Sequence, residues 1–301
     1  MRRTAARRPR LGVYTRQRLW GLTFVLPALL FFIIFDFYPM LRAFYLSLTD
    51  YNLLASPQFV GLENYATLLA DKRFVRAVSN TAGYMLGTTM PLWVLSLGAA
   101  LLFNRRFRGR GFFQLLYFTP VVLSGVPVAM VWRVLFHPKG LINAALSPFI
   151  AEPLPWLTSA ALAPLALIIM TIWQEVGFYF IIFLAGLQDI PEELYEAARI
   201  DGASNWQAFW RITLPLLKPT SLFVMIISFI HAFQSFGNQY VLTRGGPSDA
   251  TNVIALHIYS TSFTSLRLGY AAAMSLVMFA VIIAFTLVQM RLVRAEEVGY
   301  V

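Results

Sequence analysis

The residues of this chain that could do chemistry lie inside its apolar runs. Glu175, preceded by Gln174, falls near the centre of a long hydrophobic stretch. Further on, His231, Gln234, Ser235, Asn238 and Gln239 follow at i, i+3, i+4, i+7 and i+8, the spacing of a polar stripe on one helix face. Polar groups in lipid cost roughly several kcal/mol unless paired or wetted. Two roles are open to them, a helix–helix contact or the wall of an aqueous cavity that hydrogen-bonds a polar solute. Carboxamides and hydroxyls alternating with Phe229, Phe233, Phe236 and Tyr240 suit a sugar, whose hydroxyls want donors and acceptors and whose ring faces stack on aromatics.

Other chemistry lacks its parts. No G-x-x-x-x-G-K-[ST] occurs, so the chain has no P-loop with which to hydrolyse ATP. His137, His231 and His257 are scattered without metal-ligand spacing, so no metal is expected. There is no G-x-S-x-G nucleophile motif and no cysteine. The expectation is a protein that catalyses no bond chemistry and needs no cofactor. A proton-coupled carrier using Glu175 is the rival reading from another class.

The elements that must position these residues are membrane helices. Of 301 residues, 58% are hydrophobic and only 13% charged, well below the ~25% charged of a soluble domain. Six apolar runs, about 19–41, 79–103, 112–136, 161–187, 221–242 and 269–293, each approach the ~20 residues that span a bilayer. The fold class is therefore all-α, a polytopic membrane protein with six transmembrane helices. Residues 1–18 form a basic tail, and the run behind it is too long for the apolar core of a signal peptide and has no cleavage site after it, so it reads as a retained helix. With that tail inside, sixteen of the 24 Lys and Arg residues fall on the inner side, which places both termini and the segment 189–219 in the cytoplasm. The net charge of +10 thus reflects topology and not nucleic-acid binding. Pro27, Pro91, Pro120 and Pro127 predict kinks or hinges, and Ala271, Ala272, Ala273 and Ser275 predict a close helix approach.

Segment 189–219 is oddly polar for its place between two apolar runs. It reads as two short amphipathic helices joined at Gly202. Asp189 and Glu192 make one candidate capping box and Ser204 and Gln207 another. Leu194, Ala197 and Ala198 fall on one apolar face of the first helix, and a second helix is expected over Trp206–Thr213. Pro215 and Pro219 discourage a plain continuation into the next run.

At Glu196-Ala197-Ala198-Arg199-Ile200-Asp201-Gly202-Ala203, followed by Ile212, Leu214 and Pro215, the chain resembles the inner-membrane permease subunits of binding-protein-dependent ABC importers. This is similar to their EAA loop in its carbohydrate-type form. FVGLENY (59–65), YVLTRGGP (240–247) and GYAAAMS (269–275) agree with it. The resemblance implies a type I ABC importer permease fold in a bacterial or archaeal cytoplasmic membrane. It also implies a second related permease as partner, two cytoplasmic ATP-binding subunits and an external solute-binding protein. Glu196, Ala197, Ala198, Asp201 and Gly202 would form the coupling helix region gripped by an ATPase subunit. The first helix would reach across to the partner permease, leaving five as the core. The expected cargo is an oligosaccharide or glycoside, with glycerol 3-phosphate or a related polyol phosphate as the alternative. An anion would want Arg or Lys in the cavity, and among residues near the runs Arg133 is the closest.

Overall fold

The computed structural model describes residues 13–105 and 107–297; the rest of the predicted tail lies outside the described residues. Helix α1 (Val13–Phe32) holds Pro27 and continues through a π-turn at Ile33–Phe37 into α2 (Tyr38–Ser47). The wide turn precedes Pro39, whose missing N–H a regular helix would leave unmatched. A two-residue hairpin pairs β1 (Thr49–Asp50) with β2 (Gln58–Phe59) antiparallel, Thr49 opposite Phe59. Helix α3 (Glu63–Ala70) leads to α4 (Lys72–Asn104), which starts earlier than the apolar run at 79. Asp71 sets that start, its carboxylate accepting from the backbone N–H groups of Arg73 at 2.8 Å and Phe74 at 3.3 Å.

The third apolar run is not one kinked helix. It divides into α5 (Arg110–Val122) and α6 (Gly125–Leu135), bent by 99° at Leu123 and Ser124. Pro127 falls in the first turn of α6, where its missing N–H costs nothing, and Pro120 falls in the last turn of α5. Two prolines so placed suit a stop followed by a fresh start. Helix α7 (Leu141–Leu146) and a loop closed by Asn143 follow; the Asn143 amide bonds both the N–H and the carbonyl of Leu154.

Helix α8 (Leu162–Gln188) is the axis of the bundle, packed against α4 and α5. Half of its most apolar window is buried, whereas in the span Trp20–Ser47 none is. Then come α9 (Glu192–Ile200), α10 (Asn205–Ala208), a π-turn at Phe209–Thr213, α11 (Leu214–Leu216), α12 (Lys218–Gln234) and α13 (Gly237–Leu242). Helix α14 (Ile254–Tyr259) and a further π-turn lead to α15 (Leu268–Glu297). Among the described residues five helices are long and apolar enough to cross a membrane, and six spans result if the α5–α6 pair counts as one. This agrees with the expected helical membrane fold.

Two apolar cores stack along α8. One gathers Ala166, Leu167 and Met170 with Val128, Phe136 and Trp156; the other gathers Tyr179, Phe180 and Phe183 with Leu92, Leu97 and Leu217. Between them α8 carries Thr171, Gln174 and Glu175. A polar belt therefore crosses the bundle near the middle of its central helix.

The three short stretches FVGLENY, YVLTRGGP and GYAAAMS meet at one end of the bundle. The Asn64 amide donates to the carbonyls of Ser47 and Thr49, both at 2.9 Å. Gly269 donates to Tyr51 O, and a Cβ there would drive into the Thr49 carbonyl oxygen. The loop 244–252 is held by Asn80, which donates to Asp249 O at 2.7 Å and Asn252 O at 3.1 Å, and by an Arg73–Asp249 ion pair at 3.3 Å. Ala271, Ala273 and Met274 are buried, consistent with the close approach expected of the small residues opening the last helix.

Candidate functional site

In the polar belt the partners of each side chain separate structural from available groups. Tyr84 bonds Thr171 at 2.8 Å and accepts from Ser235 at 3.2 Å, and the Gln239 amide pairs with Ser235 at 2.9 Å. Gln239 is 0% exposed, so this network ties α4, α8 and α13 together. A buried carboxamide holds such a place only when its donors and acceptors are met.

The stripe read from the fifth apolar run is corrected here. It is not one helix face, because α12 ends at Gln234, Ser235 is extended (φ −64°, ψ 121°) and α13 starts at Gly237. The break turns its members to different neighbours. His231 and Asn238 line a cavity of about 320 Å³ together with Gln174 and Glu175. Gln234, Ser235, Gln239 and Tyr240 are outside its lining. Tyr240 instead stacks on Phe236 at 5.5 Å between ring centroids and meets Tyr259 edge-on at 5.4 Å. Gln234 is exposed.

The remaining cavity wall comes from Val121, Gly125 and Phe178. The α5–α6 bend delivers the first two, and its freed Leu123 carbonyl accepts the Gln174 side-chain amide at 3.3 Å. Asn238 lies so near Gly125 that a Cβ there would be 3.3 Å from its Oδ1. Tyr179, one turn beyond Glu175 and 0% exposed, is the side-chain partner of the Glu175 carboxyl and bonds His231 Nδ1 at 3.2 Å. The Tyr179 phenol thus stands between Glu175 and His231. The i, i+4 spacing of Glu175 and Tyr179 was the available sequence signal for this contact. Nothing local signals Val121 or Gly125. Among the described residues no group of His, Asp and Glu could hold a metal ion.

The second site is α9 with its flanks. Asp189 does not cap it: α8 runs to Gln188, and Asp189 closes that helix by donating its N–H to Ala185 O at 3.2 Å. Pro191 is the N-cap of α9 and makes no side-chain bond. At the other end Gly202 takes φ +78°. Gly202 N–H reaches Arg199 O at 3.1 Å and Ala203 N–H reaches Ala198 O at 2.8 Å, the paired bonds of a Schellman stop. The Ser204–Gln207 capping box forms as expected. The helix behind it is regular only to Ala208; the π-turn at Phe209–Thr213 corrects the expected continuous helix, for Pro215 cannot donate back to the turn before it.

No residue of α9 is buried. Tyr195 bonds Thr213 at 2.9 Å and turns one face inward with half-buried Ala198. The apolar face is thus shifted from the expected Leu194, Ala197 and Ala198, because Leu194, Ala197 and Ile200 are the exposed set, Ile200 at 86%. Glu196 is exposed among them, Asp201 and Gly202 close the helix beyond them, and Trp206 follows at 69% exposure.

A multi-span helical bundle with a polar mid-membrane cavity and an exposed helix pair between two spans is the architecture of a transport subunit. Residues 93–297 match the family described as binding-protein-dependent transport system inner membrane component, and the chain belongs to that family. Among its relatives are the multiple sugar-binding transport system permease protein MsmF of Streptococcus mutans, 34% identical over 94% of this chain and 98% of that one. The trehalose/maltose transport system permease protein MalF of Thermococcus litoralis is also 34% identical, covering 93% and 95%. The sn-glycerol-3-phosphate transport system permease protein UgpA of Agrobacterium fabrum is 32% identical, covering 89% and 92%. A chain in the crystal structure of a bacterial ABC transporter involved in the import of the acidic polysaccharide alginate matches with a TM-score of 0.80 at 28% identity, covering 93% and 96%. The same holds, at 26% identity, for the alginate transporter in complex with alginate pentasaccharide-bound periplasmic protein.

Proposed function

We propose that this chain is one half of a heterodimeric pore through which an ABC importer brings an oligosaccharide or glycoside into the cytoplasm. Two ATP-binding subunits bind on the cytoplasmic side, one of them at α9, and an external solute-binding protein delivers cargo from the other. In this reading Glu196, Ala197, Ala198, Asp201 and Gly202 couple ATP-driven closure to the pore, and the Glu175 cavity lies on the cargo path. Both termini and segment 189–219 face the cytoplasm. The chain contributes no ATPase site of its own.

The observation that carries this is α9 itself. It is stopped cleanly at Gly202, anchored to the bundle through Tyr195, and presents Leu194, Ala197 and Ile200 to its surroundings, uncovered by any of the described residues. The sugar relatives and the alginate transporter favour a carbohydrate cargo. Among the described residues no Lys or Arg lines the cavity, which weighs against a phosphate ester despite the likeness to UgpA. A proton-coupled carrier built on Glu175 would work without ATP-binding subunits and would leave the exposed face of α9 without purpose.

The experiment is uptake by the assembled transporter in vesicles. Sugar accumulation should require ATP and all subunits, and this chain purified alone should hydrolyse no ATP. Accumulation driven by a pH gradient with the ATP-binding subunits left out would defeat the reading.

A further inference from the structure

The short connection between α4 and α5 carries arginines that no acid of the chain holds. It falls within residues 72–151, a stretch without a single Asp or Glu. Arg105 and Arg108 are exposed there and Arg110 is half-buried. Among the described residues no hydrogen bond or ion pair holds any of these three guanidinium groups. The acids beside α9 face two of them only across open hollows. Arg110 shares one of about 900 Å³ with Asp189, Glu192 and Glu193, and Arg105 shares one of about 570 Å³ with Glu192. Arg108 lines neither of these two. The connection is also held in place. Phe107 packs edge-on against Phe103 of α4 at 5.6 Å between ring centroids and meets Phe113 of α5 at 6.3 Å. On either side the apolar side chains turn outward: Leu102 before it, and Phe112, Leu115 and Leu116 after it, are all exposed. In membrane helices such side chains mark where hydrocarbon begins. Leu102 stands three residues before Arg105 and Phe112 two after Arg110, so the arginines lie within about one helical turn, ~5 Å, of that edge. That is the depth of lipid headgroups, where long cationic side chains settle with their stems along apolar surface.

We infer that this connection binds the headgroup of an anionic phospholipid, with Arg105, Arg108 and Arg110 around the phosphate and the acyl chains along the outward faces of α4 and α5. A guanidinium offers paired donors that match phosphate oxygens, and basic side chains beside a span draw anionic lipid to them. The occupant follows from charge and depth together. Leu102 and Phe112 face lipid whatever else binds, so phosphates already lie beside the arginines. A zwitterionic headgroup brings its own ammonium to the same place and gains less there. The inference concerns the bilayer and not the cargo, so its failure leaves the proposed function untouched.

The test uses the assembled transporter (both permeases and the ATP-binding subunits), purified in mild detergent, stripped of lipid and titrated with phosphatidylglycerol or phosphatidylethanolamine of the same acyl chains. Native mass spectrometry counts the lipids retained. Lipid held by the partner permease is common to all variants and drops out of the comparison. The wild type should hold phosphatidylglycerol at least about ten-fold more tightly than phosphatidylethanolamine, and added salt should narrow that ratio. Arg105→Gln, Arg108→Gln and Arg110→Gln combined should weaken phosphatidylglycerol binding by about ten-fold or more. The same three positions changed to lysine, which keeps the charge, should lose about three-fold or less. Equal retention of the two lipids, or a glutamine variant that binds like the wild type, overturns the inference. So does a lysine variant that loses as much as the glutamine one. Arg133→Gln, at an exposed arginine in the last turn of α6, should change nothing, and a loss there as large would show only general attraction and overturn it too. If the glutamine variant instead sheds the ATP-binding subunits with lipid retention unchanged, the connection is a protein contact and the inference falls. Should that variant fail to assemble, Arg108→Gln alone decides, about a three-fold loss supporting the inference and no loss overturning it.

Discussion

The mid-bundle belt and the α9 region are both mixtures of polar and apolar side chains, yet they resolve in opposite ways. In the belt, Tyr84, Thr171, Ser235 and Gln239 satisfy one another, and Gln239 has no exposed surface. In α9 no residue is buried, and Ile200 is left 86% exposed. The difference follows from what each region has for solvent. A polar group inside a span finds no water and must be met within its own chain or by cargo. An apolar group on a polar connecting segment is covered only if another chain covers it. What the two regions leave open therefore differs: a cavity lined by Glu175 in one, an exposed apolar side chain, Ile200, in the other.

The comparison breaks most sharply at Gly202. Its φ of +78° disfavours any β-branched residue. Gly202→Val should disturb the Schellman stop and lower ATP-dependent uptake by about ten-fold or more, at a local strain of about 1–3 kcal/mol. Because a Cβ there meets nothing within 4 Å, the membrane bundle should still assemble, which size-exclusion chromatography would check. Unchanged uptake with unchanged co-purification of the ATP-binding subunits would remove α9 from the coupling role.

A smaller effect separates two glutamines of one apolar run. Gln239→Ala strands Ser235 in a closed network and should cost about 1–3 kcal/mol of stability, read as a lower melting temperature in detergent. Gln234→Ala removes an exposed group and should stay within about 0.5 kcal/mol. Equal losses would show that the belt is not held as described.

The smallest effect concerns the end where the three short stretches meet. Burial holds His257 below its ordinary pKa of 6.5, the nearby Arg73 acting in the same direction against Asp71 and Asp249. The unfolded chain therefore takes up the proton first as pH falls. Stability contributed by neutral His257 is fully present above 6.5 and is lost as pH drops toward the lowered folded value. Melting temperatures between pH 7.5 and 5.5 should decline by less in His257→Gln than in the wild type, a difference of about 1 kcal/mol or less. Parallel curves would show that His257 has no part in it.

Local signals in the sequence were read correctly where one helix end was at stake. The Ser204–Gln207 box and the Gly202 stop involve residues within a few positions of each other, so composition alone decides them. Asp189 misled because it is within reach of two helix ends, and only the length of α8 assigns it to the first. The stripe from His231 to Gln239 misled because periodicity assumes an unbroken helix, and nothing in the spacing marks Ser235 as extended. The cavity could not be read at all. It depends on the 99° turn that brings Val121 and Gly125 against Gln174, Glu175 and Asn238 from distant parts of the chain.

By itself the sequence determined the solvent of each segment and the ends of its helices. Those properties depend on the transfer energy of side chains and on bonds between near neighbours, both of which composition and spacing express. Only the tertiary structure decided which polar residues are spent and which remain free. That depends on what each meets across the bundle: Gln174 meets a carbonyl freed by a bend, Gln239 meets Ser235, and Glu175 lines the cavity beside Tyr179.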